Sequence, residues 1–188
     1  MGSAIKDNGH GQCGQKPWRL IQTNLREIDM DDMDARQFAA DLTAFKANAV
    51  MISTSGIVAN YRTKLPYHYQ NQYLNGDTLE DVVKACHEAG IKVIARMDFS
   101  KVRRILYENN PDWAFLSAKG QIIDYNGDVH VCFNSVYQQE LSLEIMRETI
   151  ETLDVDGAFF NMDGYHTNFD YSGNYYGICQ CGGCKARF

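Results

Sequence analysis

Apolar positions along the chain alternate between two rhythms, short continuous runs and longer stretches at helical spacing. The continuous runs fall at 18–22, 48–54, 91–98 and 155–162. Such runs, bounded by polar or turn residues, predict strands buried on both faces. Between them the period changes to that of amphipathic helices. Asp34 is placed to cap a helix whose inward face is Ala35, Phe38, Ala39, Leu42 and Phe45. Asp77 with Glu80 predicts a capping box, followed by Leu79, Val82, Val83, Cys86 and Ala89 on one face and a stop at Gly90. A helix is expected over 101–109, ended by Pro111. Ser135 with Gln138 opens another that runs to Leu153. Asn126-Gly127, inside the alternating stretch 121–131, predicts a tight hairpin. Residues 55–76 form a long loop rich in tyrosine.

The resulting order is β-α-β-α-β-α-hairpin-α-β, an α/β pattern with a parallel sheet. No glycine-rich phosphate fingerprint follows the first strand, which weakens a dinucleotide-binding reading. Polar residues gather where strands end: Arg26, Glu27 and Asp29, then Arg96 and Asp98, then Asn161 and Asp163. That distribution suits a (β/α)8 TIM-type barrel, whose site lies at the C-terminal ends of its strands. Such a barrel takes eight strands and about 250 residues. The chain offers about four β/α units, so the expectation is the N-terminal half of a barrel over 18–188, preceded by a flexible polar tail over 1–17.

Composition narrows the function without choosing it. The 188 residues carry 18 Lys+Arg against 24 Asp+Glu, a formal charge of −6, which argues against a nucleic-acid partner. No apolar run reaches the length of a membrane span, and residues 1–15 lack the apolar core of a signal peptide. A reducing, cytoplasmic setting is therefore expected.

The six cysteines include three within six residues, Cys179, Cys181 and Cys184. Gly182-Gly183 lets the backbone turn tightly enough for these thiols to reach one ion. Cys132, at the end of the hairpin segment, is the natural fourth ligand; Cys86 faces a helix core and Cys13 lies in the tail. Four thiolates make a closed site, so the expected metal is a structural zinc. The bland alternative is a set of free thiols. Asp163, at a strand tip beside Phe159, Phe160 and Tyr165, is a candidate acid, against the plainer role of capping a turn before Gly164. Arg96 and Asp98, two apart on a strand, share a face and either enter a site or form a structural ion pair. Arg26 and Glu27 offer similar contacts. His130 and Asn134 flank Cys132 and either touch substrate or orient the metal loop. Asn161 and Tyr165 complete the binding set, with His166 a weaker candidate; the loop tyrosines Tyr61, Tyr67, Tyr69 and Tyr73 either stack on a sugar or pack the loop.

The segment Cys132-Phe133-Asn134-Ser135-Val136-Tyr137, a helix, a strand ending in a carboxylate and Cys-x-Cys-x-x-Cys together resemble the glycoside hydrolase family 42 β-galactosidases. The sequence is still more similar to the hypothetical glycosyl hydrolase 6 family over 18–188, including the run Asp170-Tyr171-Ser172-Gly173-Asn174-Tyr175-Tyr176-Gly177. The resemblance implies a (β/α)8 barrel, a structural zinc on the same four thiols, and a catalytic carboxylate at Asp163. In the galactosidases that position is a Glu following an Asn. Here Met162 intervenes after Asn161, and Asp sets the carboxylate about 1.5 Å further back. A nucleophile, as in α-fucosidase-like barrels, is the other role the resemblance offers Asp163.

A retaining glycosidase needs a second carboxylate roughly 5 Å from the first, expected on a later strand. The sequence thus points to the N-terminal part of a glycoside hydrolase for a galactose- or fucose-like sugar, inactive alone. The rival is a non-catalytic, zinc-stabilised carbohydrate-binding or scaffold domain. Half a barrel leaves two strand edges and an inner face open, so self-association, or closure by the missing half, is expected.

Overall fold

The computed structural model describes residues 17–161 and 174–187. Most of the tail expected over 1–17, and the candidates Asp163, Tyr165 and His166, lie outside the described residues.

Four parallel strands form the main sheet in the order β1 (Leu20–Gln22), β2 (Ala49–Gly56), β3 (Lys92–Asp98), β7 (Gly157–Asn161). Their spatial order follows the chain, with no reversal of the kind that marks a doubly wound sheet. Helices α1 (Ala35–Ala44), α2 (Thr78–Glu88) and α4 (Ser142–Leu153) pack against one face. Leu42, Leu79, Val82, Val83, Cys86 and Leu153 meet Val50, Ile52 and Val93 there in one buried cluster. A singly wound sheet with its helices on one face fits part of a (β/α) barrel.

The other face is set by register. Ser53 pairs with Arg96 and Arg96 with Phe159; Asp98 pairs with Asn161. Partners across parallel strands share a face, so these polar side chains line the side away from the helices. A smaller antiparallel sheet, β4 (Lys101–Arg103), β6 (Asp128–His130) and β5 (Asp124–Tyr125), follows β3. Its hairpin turns at Asn126 (φ 55°) and Gly127 (φ 91°), the doubly left-handed turn that Asn-Gly predicts. Chain-terminal to these is α5 (Gly182–Arg187). Among the described residues no helix is long and apolar enough to cross a membrane.

Several local expectations fail for identifiable reasons. The helix expected from residue 101 starts only at Arg104, as α3 (Arg104–Asn109), because Lys101–Arg103 pairs with β6 and buries Val102. Phe45 is 77% exposed: α1 ends at Ala44, and Lys46 at φ 57° turns the chain away. Ala89 is exposed as well, because α2 ends one residue before it and Gly90 turns the chain. Asp34 does cap α1, accepting from the amides of Arg36 and Gln37 at 2.9 Å. Asp77 makes no such bond and lies 3.6 Å from Arg62. Ser135 accepts from the Gln138 amide, but the Gln138 side chain donates to the Phe99 carbonyl, so that box is half formed. A single wide turn over Tyr137–Leu141 leads into α4. The strand expected to be buried, β7, is instead last in the sheet order, with Phe159 and Phe160 about 40% exposed.

Candidate functional site

The polar face becomes a cleft because β2 bulges near its end. The β2–β3 register slips between Ser53 and Ser55: Ser53 stays opposite Arg96 and lines the cleft, while Ser55 pairs with Met97 and its hydroxyl accepts from Thr149 on α4. Gly56 closes the bulge at φ 108°, and a Cβ there would lie 2.1 Å from the Asp98 carbonyl oxygen. Only glycine allows this approach. The cleft holds about 200 Å³ at the C-terminal ends of β2 and β3, and is also lined by Glu27, Asn60, Arg103 and Asp128.

Its charges are arranged unevenly. Arg103 pairs with Glu27 and, at 2.8 Å, with Asp128, and lies over the Tyr69 ring. Burial lowers the Arg103 pKa, but the two carboxylates outweigh it and leave it raised. Burial raises the Asp128 carboxyl against the pull of Arg103. Asp98 accepts from the Ser100 amide and hydroxyl on one oxygen and from Asn161 Nδ2 at 2.8 Å on the other. Arg96 donates to Ser53 Oγ at 3.1 Å, and its buried Nε has no partner. The ion pair between Arg96 and Asp98 is thus absent, and both point into the cleft.

A second centre lies on the hairpin side. Sγ atoms of Cys132, Cys179, Cys181 and Cys184, all buried, lie within 4.8 Å of one another. Cys132 is 3.3 Å from Cys184 and 3.5 Å from Cys181, too far for disulfides. Tetrahedral bonds of about 2.3 Å place sulfurs roughly 3.8 Å apart, so the spacing suits one ion. Amide N–H groups of Leu116, Asn134, Cys181 and Cys184 point at the sulfurs at 3.3–3.5 Å. Asn134 Nδ2 adds a donor to Cys184. Such donors favour thiolate. The hydrogen bond with Cys132 draws the Cys179 thiol down to about 5 against burial, while the same contact pushes Cys132 up. Gly183 sits where a Cβ would come 3.2 Å from the Asn134 carbonyl oxygen, which explains a glycine in the knot.

The structure brings together Glu27, Arg96 and Asp98, with Asn161 bound to Asp98. It separates three other candidates from them. Arg26 is exposed and tied to Asp29, three residues on, so its charge is spent locally. His130 is buried under the hairpin and does not line the cleft. Asn134 belongs to the thiol knot, where its side-chain Nδ2 meets Cys184 and its Oδ1 accepts from Arg187. Of the loop tyrosines, Tyr61 is fully buried, bonded to Glu148 and Thr149, and Tyr67 reaches Glu144. These pack the loop. Sequence pattern does not point to Ser53, Arg103 or Asp128: Ser53 sits in an apolar strand run, and 103 falls in a segment that reads as helix, so their place in the cleft follows only from the fold.

The sequence matches the family described as hypothetical glycosyl hydrolase 6 over residues 34–162. The chain belongs to this family. No curated protein matches it. Among solved structures it is similar to α-L-fucosidase isoenzyme 2 from Paenibacillus thiaminolyticus, at TM-score 0.71 and 20% identity over 92% of this chain and 26% of that one. It is also similar to a hypothetical protein from Ruminiclostridium thermocellum (TM-score 0.59, 17% identity, 84% of each chain). A maltogenic α-amylase from Thermotoga neapolitana gives TM-score 0.54 and 18% identity over 77% of this chain and 39% of that one. The chain therefore spans about a quarter of the fucosidase's length. At these identities the likeness is one of fold.

Proposed function

We propose that this family member is the N-terminal half of a (β/α)8 glycoside hydrolase acting on a galactose- or fucose-like glycoside. The observation that carries the reading is the polar cleft at the C-terminal ends of β2 and β3 in a member of a glycosyl hydrolase family. In barrels of this type the chemistry belongs at that end. Asn161 closes β7 against Asp98, and Asp163 follows two residues later in the sequence. Asp163 is the proposed catalytic carboxylate, with its partner supplied by a strand beyond this chain. Glu27, Arg96, Asp98 and Asn161 shape the sugar subsite. The four-thiol knot is proposed to hold zinc as in the galactosidase-like template, anchoring the chain after residue 178 to the hairpin. With four protein ligands the ion offers no open position for substrate.

One observation favours the rival, a carbohydrate-binding domain without turnover: each cleft carboxylate already has partners. A panel of aryl galactosides and fucosides, tested on the full-length protein with and without Asp163→Asn, separates the two. Loss of at least about 100-fold in turnover is expected for the substitution. Unchanged turnover ends the catalytic role of Asp163, and sugar binding with no turnover in either protein establishes the rival.

A further inference from the structure

The cleft contains two guanidinium groups in opposite situations. Arg103 is matched by two carboxylates and stacks on Tyr69. Arg96 is half-buried, yet no carboxylate lies within ion-pair distance of it among the described residues. Of its five donors it uses one, toward Ser53 Oγ, and its Nε is cut off from water without an acceptor. Leaving a cation and a buried donor unmatched is costly, and folded proteins rarely keep such a group without a use for it. The neighbouring anion is already committed. Asp98 is bound by Ser100 and Asn161, and Lys101 Nζ donates in turn to Ser100 Oγ. Beside Arg96 stands Ser53, a small hydroxyl residue that leaves room at its open edge.

We infer that Arg96 receives an anionic substituent of the sugar, so that the subsite selects a uronic-acid-type carboxylate. This rests on the cleft being the sugar site. A planar carboxylate matches the guanidinium fork with two parallel bonds, which a lone hydroxyl does not. Ser53 Oγ, held by Arg96 Nη1, sits at the rim of the same fork as a further hydrogen-bonding group.

The test titrates the chain with galacturonate and with galactose, following heat and the resonances of Arg96 Nε–H and the Ser53 and Ser55 amides. Galacturonate is expected to bind about tenfold or more tighter than galactose, with an advantage that shrinks in salt and shifts the Arg96 Nε–H signal. Arg96→Gln removes the advantage. Arg96→Lys, which keeps the charge but not the fork, retains part of it and serves if the glutamine variant melts early. Equal binding of both sugars in the cleft overturns the anion preference and leaves the carbohydrate reading standing. An advantage that survives in Arg96→Gln overturns it too. If neither sugar moves any cleft resonance, the cleft itself is not a sugar site and both readings fall.

Discussion

The thiols of Cys132, Cys179 and Cys181 shift one another's charge state, so losing one weighs more than losing a single buried cysteine. If the knot holds the proposed zinc, Cys132→Ser is expected to lose it and to cost several kcal/mol, about 10 °C in melting temperature for a chain of this size. Elemental analysis and calorimetry on wild type and variant check both; retained metal would remove Cys132 from the ligand set. A second residue controls acid stability. His68 is buried, its Nε2 accepts from the Gly56 amide, and its Nδ1 has no partner. Burial holds its pKa down, at about 4 against 6.5. The unfolded chain takes up a proton below pH 6.5 that the folded chain refuses until about pH 4. Stability from this group is therefore complete above pH 6.5 and falls away between 6.5 and 4, by about 3 kcal/mol in all. Urea midpoints at pH 7 and 4.5 should show a larger acid loss for wild type than for His68→Gln. None of this was visible in the sequence, where His68 stood among loop tyrosines, while the thiol cluster was legible from the close spacing of Cys179, Cys181 and Cys184 and the position of Cys132 at the end of the hairpin segment.

At the scale of elements, one carboxylate gathers most of the long aromatic loop's bonds to α4, with Tyr67 adding a bond to Glu144. Glu148 on α4 accepts from the Tyr61 hydroxyl at 3.0 Å, the Thr63 hydroxyl at 2.6 Å and the Lys64 amide at 2.7 Å. Thr149, next on the helix, bonds Ser55 Oγ at 2.9 Å and so links the loop's anchor to the cleft. Glu148→Ala leaves three donors without their acceptor and is expected to cost about 2–3 kcal/mol. Amide exchange should accelerate over 57–76 and stay unchanged in α1 and α2; a uniform change across the chain would mean the carboxylate supports the whole fold instead. The helices α1 and α2 and strands β2 and β3 were legible because their apolar period and stop signals agree with their tertiary setting. Lys101–Arg103 was not, since its pairing with β6 depends on a hairpin more than twenty residues away.

For the whole molecule, the decisive feature is the side of the main sheet that no helix covers among the described residues. Parallel sheets are normally covered on both faces, because their strands are apolar throughout. Here one face carries helices and the other carries Arg96, Asp98 and an exposed Phe159. Among the described residues the outer strands of the sheet, β1 and β7, each have a neighbour on one side only. Self-association through this face is the expected behaviour of the chain by itself. Light scattering across a dilution series checks it. A mass that stays monomeric at all concentrations excludes it, and Phe159→Ser should move any dimer toward monomer.

The amino-acid sequence by itself determined the α/β order, the helix that Asp34 caps, the Asn-Gly hairpin and the thiol set, because each is written in local spacing that chemistry reads directly. Tertiary structure alone decided which charges meet. Strand register and the bulge at Gly56 bring Ser53, Ser55, Arg96 and Asp98 to one cleft, and chain reversal carries Glu27 and Asp128 to opposite sides of Arg103. The same geometry sends Asn134 to the thiols and Arg26 to solvent. Contacts between residues 25 to 76 positions apart leave no periodic trace in a single sequence, and the cleft is held by such contacts.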